Sequence, residues 1–311
     1  MSIIEVKNIT KRFNDKLVLD NISYEVEQGE IFGFIGPNGA GKSTLINIMT
    51  SLLTPDSGTI TICGYDILKD PIKAKACIGY VPQDLALMEE LNAYDNLEFF
   101  GALYGLKGKV LKERISEALK VTGLEENRKQ KVKKFSGGMK RRLNLAVAIL
   151  HHPKVLILDE PTVGVDPQSR NHIFSFVKNI CKEWGTTVIY TSHYMEEIEE
   201  LCKRVFIIDL GKEISYGDRE DIKASVFPNN KVIIEAQDIT GETIMALKDD
   251  EGILKVGGKE NSISLTINSK FKLANTLYLL EKNEVNIKKI SYEEPKLEDV
   301  FLSLTGKTLR D

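Results

Sequence analysis

Gly36-Pro37-Asn38-Gly39-Ala40-Gly41-Lys42-Ser43-Thr44 is the stretch on which the reading of this chain turns. It has the spacing G-x-x-x-x-G-K-[ST]. The apolar run Ile31–Ile35 before it predicts a short buried strand. A helix is expected from Lys42 to about Leu53, closing before Pro55 and the turn-like Asp56-Ser57-Gly58. Strand, glycine-rich turn and helix in that order is the context in which such a loop holds phosphate. Glycines let the backbone wrap around an anion, and free N–H groups at the helix start point at its oxygens. Lys42 adds a point charge at the β- and γ-phosphates. The Ser43 hydroxyl is a hard oxygen ligand suited to Mg²⁺. The plainer reading is a chance glycine-rich turn, and the flanking elements weigh against it.

Two further stretches carry chemistry. Val155-Leu156-Ile157-Leu158-Asp159-Glu160 is a buried strand ending in two acids, at the end where α/β sheets bind ligands. Alone it reads as a solvated strand end. Beside a phosphate loop, Asp159 is expected to orient Mg²⁺ and its waters. Glu160 is expected to take a proton from, or polarise, an attacking water. Phe135-Ser136-Gly137-Gly138-Met139-Lys140-Arg141-Arg142 opens a third helix, with Leu143, Val147 and Leu150 on one stripe. In isolation Ser136 is a helix N-cap. Ser-Gly-Gly ahead of a helix also leaves a hydroxyl and free N–H groups where an anion can sit.

Composition bounds the remaining choices. The 311 residues have room for about two domains. The net charge of −3 argues against a nucleic-acid partner and against disorder as the main state. No run reaches the roughly 18 apolar residues of a membrane span. The N-terminus lacks a signal-peptide core, and Cys63, Cys77, Cys181 and Cys202 are scattered without a C-x-x-C pair. A reducing cytoplasm is expected, with neither disulfide framework nor zinc site. Strands are expected at the N-terminal IIEVKNI, at Lys16–Asp20, Ile22–Val26, Val188–Thr191 and Val205–Asp209, and a helix at Ser169–Trp184 with Gly185 as its stop. The stretch from Asn92 to about Val121 reads as a helical insertion. His151 and His152 are read as structural.

Taken together, the three motifs resemble those of the ATP-binding-cassette (ABC) family, with Ser136-Gly137-Gly138 in its signature sequence. The family usually has Leu where Phe135 stands and Gln where Met139 stands. The resemblance covers the first 220 or so residues. It implies an α/β P-loop NTPase with a mixed sheet, an N-terminal antiparallel part and a helical insertion of about 84–150. It implies ATP and Mg²⁺ as ligands, with Gly36, Pro37, Asn38, Gly39, Ala40, Gly41, Lys42, Ser43 and Thr44 around the phosphates. Phe13 matches the aromatic that stacks on adenine. Gln83 matches the glutamine that touches Mg²⁺ or water. Asp166 matches the acid of the loop crossing the dimer interface, and His193 the histidine that contacts the γ-phosphate. Taken singly, Phe13 reads equally as core, Gln83 as a surface loop residue, Asp166 as a cap and His193 as a strand-end histidine.

The resemblance further implies two subunits sandwiching ATP head to tail. The catalytic set would be Lys42, Glu160 and His193, the metal set Ser43, Gln83 and Asp159, and Ser136, Gly137 and Gly138 would act across the dimer. A separate multi-span membrane subunit is expected, with this chain on the inner face of the cell membrane. Leu85, Leu87 and Leu91 are expected to anchor it.

The pattern changes near residue 229, giving expected domains of 1–228 and 229–311. The later one reads β-α-β-β-α-β, the order of a ferredoxin-like split unit, with an irregular β-rich tail as the alternative. Gly257-Gly258-Lys259-Glu260-Asn261 is expected to turn a hairpin. The ending Glu294-Pro295-Lys296-Leu297-Glu298-Asp299-Val300-Phe301-Leu302-Ser303-Leu304-Thr305-Gly306 resembles that of drug-resistance and sodium-efflux exporter ATPases. It reads as an amphipathic helix with Leu297, Phe301 and Leu304 on one face, packed on its own chain or on a partner. The expected function is ATP hydrolysis powering export of a drug, antibiotic, lipid or ion. A regulatory or sensor ATPase stands as the alternative.

Overall fold

Two long antiparallel strands, β1 (Ser2–Phe13) and β2 (Lys16–Glu27), open the chain in the computed structural model, which describes residues 1–259 and 261–306. Ile4 and Val6 on β1 and Ile22, Tyr24 and Val26 on β2 alternate inward, as half-buried strands require. Lys16–Asp20 and Ile22–Val26 prove to be one strand. Its register shifts near Asn21, whose φ of 54° marks a bulge that the alternation of side chains alone reads as a break.

The buried strand β3 (Ile31–Ile35) leads through the glycine-rich loop into α1 (Lys42–Met49). This helix is shorter than expected, because Ser51 turns into the left-handed region at φ 53°. Next come β4 (Ser57–Ile62), β5 (Tyr65–Asp66), α2 (Pro71–Ala76) and β6 (Ile78–Val81). The helical insertion is α3 (Ala93–Leu103), α4 (Gly108–Val121) and α5 (Gly137–Ile149). The chain then alternates: β7 (Val155–Leu158), α6 (Pro167–Trp184), β8 (Thr187–Thr191), α7 (Met195–Leu201), β9 (Arg204–Asp209) and β10 (Lys212–Asp218).

These strands form two sheets. One is antiparallel, in the order β2-β1-β4-β5. The other has the order β10-β9-β3-β8-β7-β6 and is parallel except for β10. Ile4, Val6 and Ile22 of the first sheet share a core with Phe34, Ile157 and Phe206 of the second, and with Leu45, Ile46 and Ile48 of α1. β3 lies between β8 and β9, so the phosphate loop leaves the middle of the sheet at its carboxyl edge, where parallel sheets bind ligands.

The chain divides into two compact units, Met1–Arg219 and Glu220–Leu304. The later elements are α8 (Arg219–Val226), β11 (Asn230–Gln237), α9 (Gly241–Lys248), β12 (Ile253–Lys259), β13 (Ser262–Ile267), α10 (Leu273–Lys282), β14 (Asn286–Glu293) and α11 (Leu297–Thr305). The sheet is antiparallel, in the order β12-β13-β11-β14. That is the ferredoxin-like arrangement, built around Val232, Ile234, Leu247, Ile263, Leu265 and Leu280, and not an irregular tail. The hairpin turn is shorter than expected. Gly257 and Gly258 pair with Ser264 and Ile263 inside the ladder, and Glu260 lies outside the described residues. α11 buries Leu297, Val300 and Phe301 within the chain, whereas Leu304, expected on the same face, is 40% exposed. Among the described residues no helix is long and apolar enough to cross a membrane.

Candidate active site

A cleft of about 440 Å³ opens over the loop between β3 and α1. Asn38, Gly39, Gly41, Lys42, Ser43 and Thr44 form its floor, Phe13, Lys16 and Val18 one wall, and Gln83 and Glu160 another. Phe13 comes from the end of β1 and is 46% exposed, so its ring is a platform rather than core. Lys16 and Val18 went unremarked in the sequence. They reach the cleft because the turn after Phe13 folds β2 back alongside it.

The loop is shaped by close backbone approaches. A Cβ on Gly36 would sit 2.4 Å from the Ile208 carbonyl oxygen, and one on Gly41 would sit 3.0 Å from that of Val18. Gly41, at φ 112°, also needs a backbone that other residues avoid. Pro37 and Ala40 brace the turn, with the Ala40 N–H donating to the Pro37 carbonyl at 3.2 Å. The Lys42 ammonium donates to the carbonyls of Gly36 (2.6 Å) and Pro37 (3.1 Å). Burial pulls its pKa below the ordinary lysine value, opposed by the charges of Glu160 and Asp159.

Asp159 and Glu160 follow β7 and are nearly buried, at 6% and 8% exposure. Thr191, at the end of β8, joins them. Its hydroxyl donates to Asp159 Oδ1 at 2.9 Å and accepts from the Glu160 N–H at 2.9 Å. Burial pushes the Asp159 carboxyl above its usual range. The Thr191 hydrogen bond opposes this, the neighbouring Glu160 charge adds to it, and Lys42 opposes it further. Glu160 has a φ of 48°, a left-handed backbone that costs energy in a residue with a Cβ and is tolerated where function demands it. Its Oε2 lies 3.2 Å from Gln83 Nε2 and 3.3 Å from His193 Nδ1. Gln83, Glu160 and His193 thus converge, as the sequence led one to expect. Gln83 is held from behind by Arg141 of α5, whose guanidinium donates to the carbonyls of Pro82 (3.2 Å) and Gln83 (2.8 Å). Nothing in the sequence marked Arg141 for that part.

The structure does not bring every candidate into this cleft. Ser136, Gly137, Gly138 and Asp166 form a second cluster and do not line it; Asp159 and His193 are not among its lining residues either and adjoin it through Glu160. Ser136 caps α5 by accepting from the Met139 N–H at 3.2 Å. Asp166 caps α6 by accepting from the Ser169 N–H at 2.9 Å. A Cβ on Gly138 would lie 2.2 Å from Ser169 Oγ and 3.3 Å from Asp166 Oδ2. The start of α5 is therefore packed against the start of α6. The two plainer readings, capping by Ser136 and by Asp166, hold as local geometry.

The donor set fits a Mg²⁺ ion carried with a nucleotide. Ser43 and Asp159 would supply hard oxygens suited to such an ion, and Lys42 would add charge without competing for it.

Comparison with known proteins agrees with this geometry. Residues 19–163 match the family model described as "ABC transporter", and residues 217–305 match "ATP-binding protein DrrA1-3-like, C-terminal domain". The linearmycin resistance ATP-binding protein LnrL of Bacillus subtilis is 43% identical over 99% of this chain and 100% of its own length. The daunorubicin resistance ATP-binding protein DrrA3 of Streptomyces coeruleorubidus is 34% identical over 99% of this chain and 97% of its own. Among solved structures, a dimeric ATP-binding cassette in a post-hydrolysis state with ADP and Pi aligns at a TM-score of 0.63. It is 26% identical, covering 69% of this chain and 98% of that one. On both sequence and fold, the chain belongs to the ATP-binding subunits of the ABC transporter family.

Proposed function

We propose that this chain is the ATP-hydrolysing subunit of an ABC exporter, acting as a head-to-tail homodimer on a separately encoded multi-span membrane subunit at the inner face of the cell membrane. The observation that carries this reading is that Ser136, Gly137 and Gly138 do not line the cleft over the phosphate loop. Lys42, Ser43, Gln83, Asp159, Glu160 and His193 of one copy would meet Ser136, Gly137 and Gly138 of the other across the nucleotide. The dimeric form of the cassette to which the chain is similar supports that arrangement. The resistance proteins among its relatives support efflux of a drug or antibiotic as the work done. A nucleotide-binding domain over 1–228 and an accessory domain over 229–311 complete the proposal.

The chemistry follows from the cleft. Phe13 and Val18 receive the base, and loop N–H groups with Lys42 hold the β- and γ-phosphates. Ser43 and Asp159 would hold Mg²⁺, which supplies charge neutralisation at the phosphates when bound. Glu160 takes the proton from the attacking water, while His193 and Gln83 fix its carboxylate. The membrane subunit would dock near the segment after Gln83. Leu85, at 40% exposure, and Met88, at 37%, are the apolar side chains available there. Leu87 and Leu91 are half-buried and contribute less than the sequence suggested.

Glu160→Gln tests the proposal. It removes the base and leaves the phosphate contacts, so ATP-bound dimer should accumulate in Mg-ATP and not in Mg-ADP, as read by size-exclusion chromatography with light scattering. A variant that binds ATP yet stays monomeric in the presence of the membrane subunit would sink the sandwich.

A further inference from the structure

We propose that Glu197 is a positioning residue for ATP hydrolysis, its buried carboxylate fixing the loop that follows Glu160 and the loop that carries His193 relative to each other. The proposal rests on the assignment of Glu160 and His193 given above.

Glu197 lies in the first turn of α7 and is 2% exposed. Its Oε2 accepts from the hydroxyls of Thr162 (2.8 Å), Ser192 (2.8 Å) and Tyr190 (3.0 Å). Thr162 sits just past Glu160, and Ser192 directly precedes His193. Tyr190 belongs to β8 and pairs with Leu158, the last residue of β7, two residues before Glu160. The other carboxylate oxygen has no hydrogen-bond partner among the described residues and faces Arg170 Nε of α6 at an ion-pair distance of 3.5 Å, with the guanidinium over the Tyr194 ring. A buried carboxylate is costly unless its lone pairs are met, so separating these loops would strip it of partners. The carboxylate thereby sets the 3.3 Å spacing between His193 Nδ1 and Glu160 Oε2 without touching either. Arg170 extends the link, because the first turn of α6 is the one packed on Gly138. The signature segment and the hydrolytic loops of one chain are thus joined through a single acid. Misplacing a catalytic group by about 1 Å from a distance can cost on the order of 100-fold in rate.

The test uses the full chain with Glu197→Gln, Thr162→Val and Thr162→Ser. Glu197→Gln keeps shape and loses charge. Its kcat should fall about 10- to 100-fold, with KM for ATP and affinity for a fluorescent ATP analogue within about twofold of the parent. Thr162→Val keeps the shape and loses the hydroxyl, whereas Thr162→Ser keeps the hydroxyl and loses a methyl. The proposal requires Val to lower kcat and Ser to spare it. A packing role gives the opposite order and overturns the proposal, as does a Glu197→Gln kcat within twofold of the parent. If Glu197→Gln does not fold, the Thr162 pair decides alone. Glu160→Gln is run alongside: loss of turnover there with an unaffected Glu197→Gln rejects this inference only, whereas full turnover in Glu160→Gln rejects the underlying site.

Discussion

Lys42 reaches the phosphate site already engaged with two carbonyls of its own loop, so it both shapes the loop and charges it. Lys42→Ala should lower ATPase turnover by at least about 100-fold, since it removes a preplaced cation from a water-poor site. Weak nucleotide binding should survive on the backbone N–H groups, as read by titration with a fluorescent nucleotide. Near-parental turnover would remove Lys42 from the mechanism. Gly36 makes a different demand. Its missing Cβ is what allows the Ile208 backbone to pass, and backbone cannot rotate away as a side chain can. Gly36→Ala should destabilise the fold by about 1–3 kcal/mol, seen as a lower Tm. An unchanged Tm would mean that the loop can shift at little cost. Lys42, Ser43 and Glu160 are legible as candidates because their motifs set phosphate-handling groups at fixed spacings, whereas Gln83 and His193 come only through the family resemblance, each reading singly as a loop or strand-end residue. Thr191, Arg141 and Glu197 are not legible, because nothing local distinguishes them. Thr191 and Arg141 meet their partners only when segments distant in sequence come together, and Glu197 joins the distant Thr162 to the nearby Tyr190 and Ser192.

At the scale of the element, periodicity marked helices and buried strands well and their ends poorly. Periodicity runs α1 on to Leu53 because Ser51 gives no warning of its left-handed turn, and alternation alone reads the bulge at Asn21 as a gap between strands. The end of α5 carries a titratable consequence. His151 follows it, with its ring 3.8 Å from that of Tyr104 and its Nε2 3.0 Å from the Ile78 carbonyl. Burial drives its pKa down to about 4, against the pull of that hydrogen bond, and the neighbouring His152 adds to the fall. An unfolded histidine titrates near 6.5. As pH drops from about 6.5 towards 4, the unfolded chain therefore takes up a proton that the folded chain refuses, and stability declines across that window. His151→Phe keeps an aromatic against Tyr104 and cannot titrate. The fall in Tm between pH 7 and pH 5 should be smaller in this variant, measured by differential scanning fluorimetry. Equal slopes would assign the acid sensitivity to other groups.

Across the whole molecule, every residue assigned to ATP chemistry precedes the change of pattern near residue 229. A chain ending at Pro228 should therefore still bind ATP, with an affinity within about threefold of the parent, and should lose co-purification with the membrane subunit. Loss of nucleotide binding in a truncated chain that circular dichroism shows to be still folded would place an essential contact beyond Pro228. Retained co-purification would turn the later unit towards regulation. The ferredoxin-like order was legible because its strands alternate cleanly, whereas the face of α11 was only partly so: periodicity ranks Leu304 with Leu297 and Phe301, and only packing excludes it. The place of β3 in its sheet also has a consequence for the birth of the protein. Its two partners, β8 and β9, are the last parallel strands of the sheet to be made, and β9 ends at Asp209. On a ribosome adding about 5–20 residues per second, Ile35 must wait on the order of 10–35 s before its second neighbour exists. Until then the nascent chain holds an apolar strand with at most one of its two neighbours in place, a surface of the kind that favours aggregation during synthesis.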